Sequence, residues 1–209
     1  MRRQVDSGAS CGHRASAMTT IPNVSDRGMI VLAQHDPAWA GAFAREAERL
    51  TRACGDVLLE LHHIGSTAVA GLVAKPVIDM LAVAPSVEAL DARDEAFNAL
   101  GYQVMGEFGI PGRRYFRKDD SVGRRTHQVH AFAEGSIEIR RHLDFRDYLR
   151  AHPAIADAYG TLKQRLAREC LGDMRCYSDA KTPFIRDIEQ RADIWKRELD
   201  IASRPHNDR

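Results

Sequence analysis

The sequence predicts an α/β (α+β) domain, a small mixed sheet with interleaved helices followed by a helical C-terminal portion. Three observations predict it. Apolar runs of strand length alternate with helical stripes between Ile30 and Phe132. From Ser136 onward the apolar residues keep helical spacing alone. The chain is 209 residues long, 44% hydrophobic and 28% charged, enough to bury a core without disulfides or structural metal.

Each element has a local reason. Ile30 to Ala33 reads as a short strand. Asp36-Pro37 is an N-cap followed by proline at the first helical position. Trp39, Phe43, Ala47 and Leu50 then share one helix face, and Gly55 is the stop. Val57 to Ile64 is a strand bounded by Gly65, and a polar turn runs from Thr67 to Ala74. Pro76 to Val83 is a second buried strand. Pro85-Ser86 opens a helix with Val87, Leu90, Phe97 and Leu100 inward, ended by Gly101. Strands follow at Tyr102 to Met105, Arg114 to Arg117 and His127 to Phe132, with a turn over Asp119 to Arg124. Asp144 is placed to cap a helix through Phe145, Tyr148 and Leu149, closed by His152-Pro153. Ile155, Tyr159, Leu162 and Leu166 stripe the next. Ser178 is placed to cap the last, with Phe184, Ile188, Trp195 and Leu199 inward.

The expected organisation is a tail without fixed structure over 1–28, one domain over 29–200 and a short polar tail over 201–209. The first segment is rich in Ser, Gly, Ala, Arg and Thr and lacks apolar periodicity, so it buries too little to offset its ordering entropy. Met18 and Met29 are alternative starts within or just after it. No apolar stretch follows the basic start, which does not read as a secretory signal, and no run is long enough to span a bilayer. The 30 basic and 29 acidic side chains nearly cancel, so no strong nucleic-acid signal arises. Cys11, Cys54, Cys170 and Cys176 match no zinc spacing and read as thiols of a reducing compartment. The expected location is cytoplasmic.

The stretch from His62 to Asp79 carries the chemistry. Gly65-Ser66 follows a strand, and glycine lets an anion approach the backbone closely. Ser66 and Thr67 add hydroxyls, and Lys75 adds a positive charge. Asp79 is a carboxylate in an apolar strand, so it requires a metal, a cation or several donors nearby. The plain alternatives are an ordinary strand-to-helix turn at Gly65-Ser66, a structural carboxylate at Asp79 and a solvated lysine at 75.

His63-Ile-Gly-Ser-Thr-Ala-Val-Ala-Gly-Leu-Val-Ala-Lys-Pro-Val-Ile-Asp79 closely resembles the signature of the GrpB family. Asp36-Pro-Ala-Trp39, Gly101-Tyr102, Gly112-Arg-Arg-Tyr-Phe116, His127-Gln-Val-His130, Phe145 to Arg150 and Tyr177 to Lys181 extend the likeness over roughly residues 30–195. The resemblance implies a nucleotidyltransferase-like, polymerase-beta-like fold. That superfamily places a Gly-Ser turn after one strand and two carboxylates, two positions apart, on the next. Residues two apart on a strand face one side and can share magnesium. Here the second position is Leu81, which cannot ligate a metal.

The resemblance implies two functions. One is transfer of a nucleotidyl or phosphoryl group to a small molecule, with Asp79 and Ser66 catalytic, Mg2+ or Mn2+ on Asp79, and His130 as a further ligand. The other is a degenerate module that binds a nucleotide or phosphorylated metabolite. Gly65, Ser66, Thr67, Lys75, Arg114, Arg146 and Lys181 are the candidate phosphate contacts. Arg114 is chosen from the cluster Arg113, Arg114, Arg117 and Lys118 because alternation puts it on one face with Phe116. His127 and His130 face opposite sides of a strand and do not chelate together, whereas Gln128 and His130 share a face. Arg146 could equally pair with Asp147 or Asp144. A likeness to domains appended to dephospho-CoA kinases suggests a coenzyme A or nucleotide context, by analogy.

Overall fold

The computed structural model describes residues 29–203. The tail expected over 1–28, with Cys11 and Met18, lies outside the described residues, as do residues 204–209.

Helix α1 (Ala38–Cys54) buries Trp39 and Leu50, and the Asp36 carboxylate accepts from the Ala38 N–H at 2.8 Å. Strand β1 (Glu60–Ile64) leads through Gly65 into a short 3-10 turn, Ser66–Ala68, and strand β2 (Ile78–Ala84) follows. Next come α2 (Val87–Asp91), α3 (Asp94–Ala99), β3 (Tyr102–Val104), β4 (Arg113–Asp119) and β5 (Arg125–Ala133). Three helices complete the described residues, α4 (Ile137–Ala151), α5 (Pro153–Glu169) and α6 (Met174–Ala202).

The five strands form one mixed sheet in the order β1-β2-β5-β4-β3. Only β2 and β5 pair in parallel, because the intervening helices and β-hairpin carry the chain back across the sheet. One face takes Met80, Ala82, Val129 and Phe116 under α1 and α3, with Phe97 stacked on Phe116. The other face takes Ile64, Leu81 and Phe132, which pack with Ile139 and Leu143 of α4. A separate apolar cluster joins Val69 and Leu72 of the loop after β1 to Tyr148, Tyr159 and Ile188 of the helical portion. The polar residues between these two apolar patches are therefore held open between sheet and helices.

Several local expectations change. The segment from Ile30 makes a single bridge, Ala33 with Ala74, instead of a strand, since only one residue pair meets. The helix opened by Ser86 breaks at Ala92-Arg93, where the Arg93 N–H closes on Leu90 O and tightens the turn. Ser86 does cap it, accepting from the Ala89 N–H. Ser136, not Asp144, caps α4. Asp144 sits mid-helix, largely buried, and accepts from Arg140 Nε at 3.1 Å. Asp173 rather than Ser178 caps α6, accepting from the Arg175 and Cys176 N–H groups, and Leu199 is exposed instead of inward. Cys170 and Cys176 are joined as a disulfide instead of standing as free thiols, because the tight α5–α6 turn brings their Cα atoms to 5.7 Å. Cys54 is a buried free thiol. Among the described residues no helix is long and apolar enough to cross a membrane.

Candidate functional site

A cavity of about 310 Å3 opens between the Gly65-Ser66 turn, the β2–β5 edge and helices α4, α5 and α6. Asp79 stands in its floor. In register it lies between Ile64 of β1 and Gln128 of β5, so the antiparallel β1–β2 pair brings the turn directly over the carboxylate. Gly65 has φ +69° and ψ −170°, a conformation open essentially to glycine. A Cβ there would sit 2.5 Å from Asp79 Oδ2. The glycine is thus required twice, by its backbone and by its neighbour.

Three lysines face this carboxylate from three directions. Lys75 precedes β2, Lys163 comes from α5 and Lys181 from α6, and all line the cavity. Burial pushes the Asp79 carboxyl up to about 6, against the pull of Lys75, Lys181 and Lys163. Burial likewise lowers Lys163 to about 7 and Lys181 to about 8, with Asp79 opposing both shifts. Lys163 is only 2% exposed. Its Nζ donates to Ser66 Oγ at 2.8 Å and to Val73 O, and it lies 4.6 Å from the Tyr159 ring centroid. Lys181 lies over Tyr177 at 4.3 Å.

The expected phosphate contacts and the expected metal ligands, Asp79 and His130, divide accordingly. Gly65, Ser66, Lys75, Asp79, His130 and Lys181 are brought together around one cavity. Thr67 also borders it, but its hydroxyl is used internally, paired with His63 Nε2 at 2.9 Å and donating to Val77 O at 3.3 Å. Arg114 does not reach the cavity. It shares the helix-covered face with Phe116, as alternation required, and there it pairs with Asp91 of α2. Arg146 is outside too. Its guanidinium donates to Asp147 and to the backbone O of His63 at 3.1 Å. Arg150, one turn further along α4, donates to Ala68 O at 2.9 Å. The two arginines therefore hold the backbone on either side of the Gly65-Ser66 turn from behind. His63 is structural: it stacks on Phe43 at 4.9 Å, and burial takes its pKa down to about 4, while His62 lies outside the cavity lining and meets Glu60 at 2.6 Å.

Lys163 and His142 line the cavity and Arg113 stands behind His130, places that the sequence reading did not assign. Lys163 had a signal, since it falls on the α5 stripe of Tyr159, Leu162 and Leu166, where a lysine is out of place. His142 had none, because its place beside His130, 5.5 Å between ring centroids, is set by the docking of α4 on β5. Arg113, not Arg114, points to this face. It is buried, bonds the carbonyls of Glu107 and Phe108, and donates to His130 Nδ1 at 3.4 Å.

Leu81 is fully buried between Ile64 and Phe132. The position where the resemblance placed a second carboxylate is thus part of an apolar core. Among the described residues no three His, Cys, Asp or Glu side chains gather as a metal-ligand set.

Fold and cleft together define an α+β protein with a lysine-ringed cavity built on a Gly-Ser turn. The model of the GrpB protein family matches residues 29–191, and the chain belongs to that family. It is 44% identical over 163 residues to the UPF0157 protein YqkA of Bacillus subtilis, covering 78% of this chain and 47% of that one, so it spans about half of that relative. The crystal structure of GrpB from Enterococcus faecalis superposes with TM-score 0.73 at 43% identity, over 78% of this chain and 96% of that chain. A dephospho-CoA kinase of Mycobacterium tuberculosis is 32% identical over 184 residues, 77% of this chain and 45% of its own length.

Proposed function

We propose that the cleft binds a phosphate-bearing small molecule, a nucleotide or phosphorylated metabolite, and that lysines rather than a resident metal supply the countercharge. One observation carries this reading: Lys75, Lys163 and Lys181 converge with the Ser66 hydroxyl on a cavity whose acidic groups are Asp79 and Glu189. Glu189 is already paired with Arg141. What remains is Lys75 and Lys181 against Asp79, joined by Lys163 to the extent that it keeps its proton near pH 7, a net positive field that favours an anion. The likeness to a dephospho-CoA kinase is consistent with a phosphorylated ligand.

A resident divalent cation fits this donor set poorly. Asp79 is the one carboxylate free for it, Leu81 occupies the neighbouring position, and the three lysines repel a cation. A magnesium ion carried in on substrate phosphates would still find Asp79, and the retained pairing of Gly65 with Asp79 favours that second reading, transfer of a nucleotidyl or phosphoryl group. Calorimetric titration of nucleotides, coenzyme A precursors and sugar phosphates, with and without Mg2+ or Mn2+, separates the two. The binding-module reading expects binding without metal, retained in Asp79→Asn and weakened about ten-fold or more in Lys181→Ala. Binding that needs metal and disappears in Asp79→Asn overturns it in favour of transfer. No binding of any member overturns both.

A further inference from the structure

The cavity has a second end that the lysines do not reach. Ser66 leaves β1 beyond Ile64, in the direction of Val77, whereas His130 pairs with Leu81 on the opposite side of Asp79. On a parallel strand, residues two apart are separated by about 6.6 Å, so His130 is that much further along β5 than Gln128, the residue abreast of Asp79. His142 of α4 borders the same end.

The hydrogen bonds at this end assign its tautomers. Arg113 has only donors, so His130 Nδ1 must accept, and its Nε2 carries the proton. His142 Nδ1 stands 2.7 Å from the Glu138 carbonyl oxygen, which only accepts, so Nδ1 carries that proton and Nε2 is left as an acceptor. Both rings are neutral, since burial takes His130 down to about 3 and His142 to about 4. Gln128 contributes an amide that both donates and accepts. The Arg113 guanidinium behind His130 is committed to backbone carbonyls, and Arg141, which lines the cavity near both rings, is paired with Glu138 and Glu189. The result is a set of one donor, one acceptor and one group that is both, with no unpaired charge.

Adjacent hydroxyls, each donating and accepting, match this set, whereas a charged body would meet no free countercharge there. We propose that Gln128, His130 and His142 form a second subsite for the hydroxyl-bearing body of a phosphorylated ligand, a sugar phosphate or the ribose of a nucleotide. This rests on the lysine end holding the phosphate. A cavity of about 310 Å3 is the size for a ligand of this kind.

The test is calorimetric titration of the full chain with inorganic phosphate, ribose 5-phosphate and adenosine 5′-monophosphate, using wild type, His142→Leu and Gln128→Leu. Wild type is expected to bind ribose 5-phosphate about ten-fold or more tighter than phosphate, the yield of one or two net hydrogen bonds. Each variant is expected to shrink that ratio several-fold while leaving the phosphate Kd unchanged. With that preference present, adenosine monophosphate binding tighter than ribose 5-phosphate identifies a nucleotide, and equal or weaker binding identifies a free sugar phosphate. Equal affinity for phosphate and ribose 5-phosphate in wild type overturns the subsite and leaves the lysine site standing. So does a preference that both folded variants retain. No binding of any of the three probes overturns the lysine site and the subsite with it.

Discussion

Gly65→Ala tests the packing that joins the turn to the carboxylate. Two costs add. At φ +69° and ψ −170° a side chain is strained by about 1–3 kcal/mol. The new Cβ would also meet Asp79 Oδ2 at 2.5 Å, its Cβ at 3.0 Å and its Cγ at 3.1 Å, an overpacking of about 1–3 kcal/mol. Because the Asp79 carboxylate borders the cavity and can turn into it, the expected loss is about 2–4 kcal/mol. A double-mutant cycle with Asp79→Ala separates the parts. That second change deletes Oδ2 and Cγ and leaves the Cβ, so it recovers about 1–2 kcal/mol of the clash and none of the backbone strain. Urea unfolding of the wild type, both single variants and the double variant measures all four corners. A loss below about 1 kcal/mol for Gly65→Ala, or a coupling indistinguishable from zero, would refute the close packing of turn on carboxylate.

Three further outcomes follow from the same geometry. Lys163 has a folded pKa lowered to about 7 from an ordinary 10.5, so the folded state releases its proton first and stability from this group rises with pH between about 7 and 10; unfolding midpoints at pH 7, 8 and 9 should rise less in Lys163→Met than in wild type. Arg114→Met should leave ligand affinity unchanged and cost under about 1 kcal/mol, because its ion pair with Asp91 is partly exposed and lies on the far face; a loss of phosphate binding in this variant would contradict the placement. Reduction of Cys170–Cys176, or Cys176→Ser, opens a short loop and should cost about 2 kcal/mol by loop-closure entropy, read as a lower melting temperature. Intact mass of the untreated protein should show the loss of two hydrogens.

Much of the fold was legible because each element signals locally. Trp39 and Leu50 at helical spacing became the buried face of α1, and the apolar run ending at Ile64 and the run holding Met80 became neighbouring strands. Boundaries were less legible. Ser136 and Asp173 cap helices where Asp144 and Ser178 were expected, since any Ser or Asp near a helix start has the chemistry of a cap and only the hydrogen bonds choose among them.

The gathering of the candidate residues was legible in part for the same reason. Gly65, Ser66 and Asp79 lie within one strand–turn–strand unit, and pairing of β1 with β2 is enough to bring them together. The sequence by itself therefore determined the alternation of strands and helices, the glycine next to the carboxylate in one strand–turn–strand unit, and a leucine rather than an acid two positions after Asp79. Only the tertiary structure decided that Arg113 rather than Arg114 turns to the cleft side, that Arg146 holds a backbone carbonyl, and that Lys163 and His142 complete the cavity. The physical reason is sequence distance. Lys163 is 97 residues from the hydroxyl it binds, and its contact depends on how the helical portion docks against the sheet, which depends on the shape of the packed surfaces and not on any local pattern.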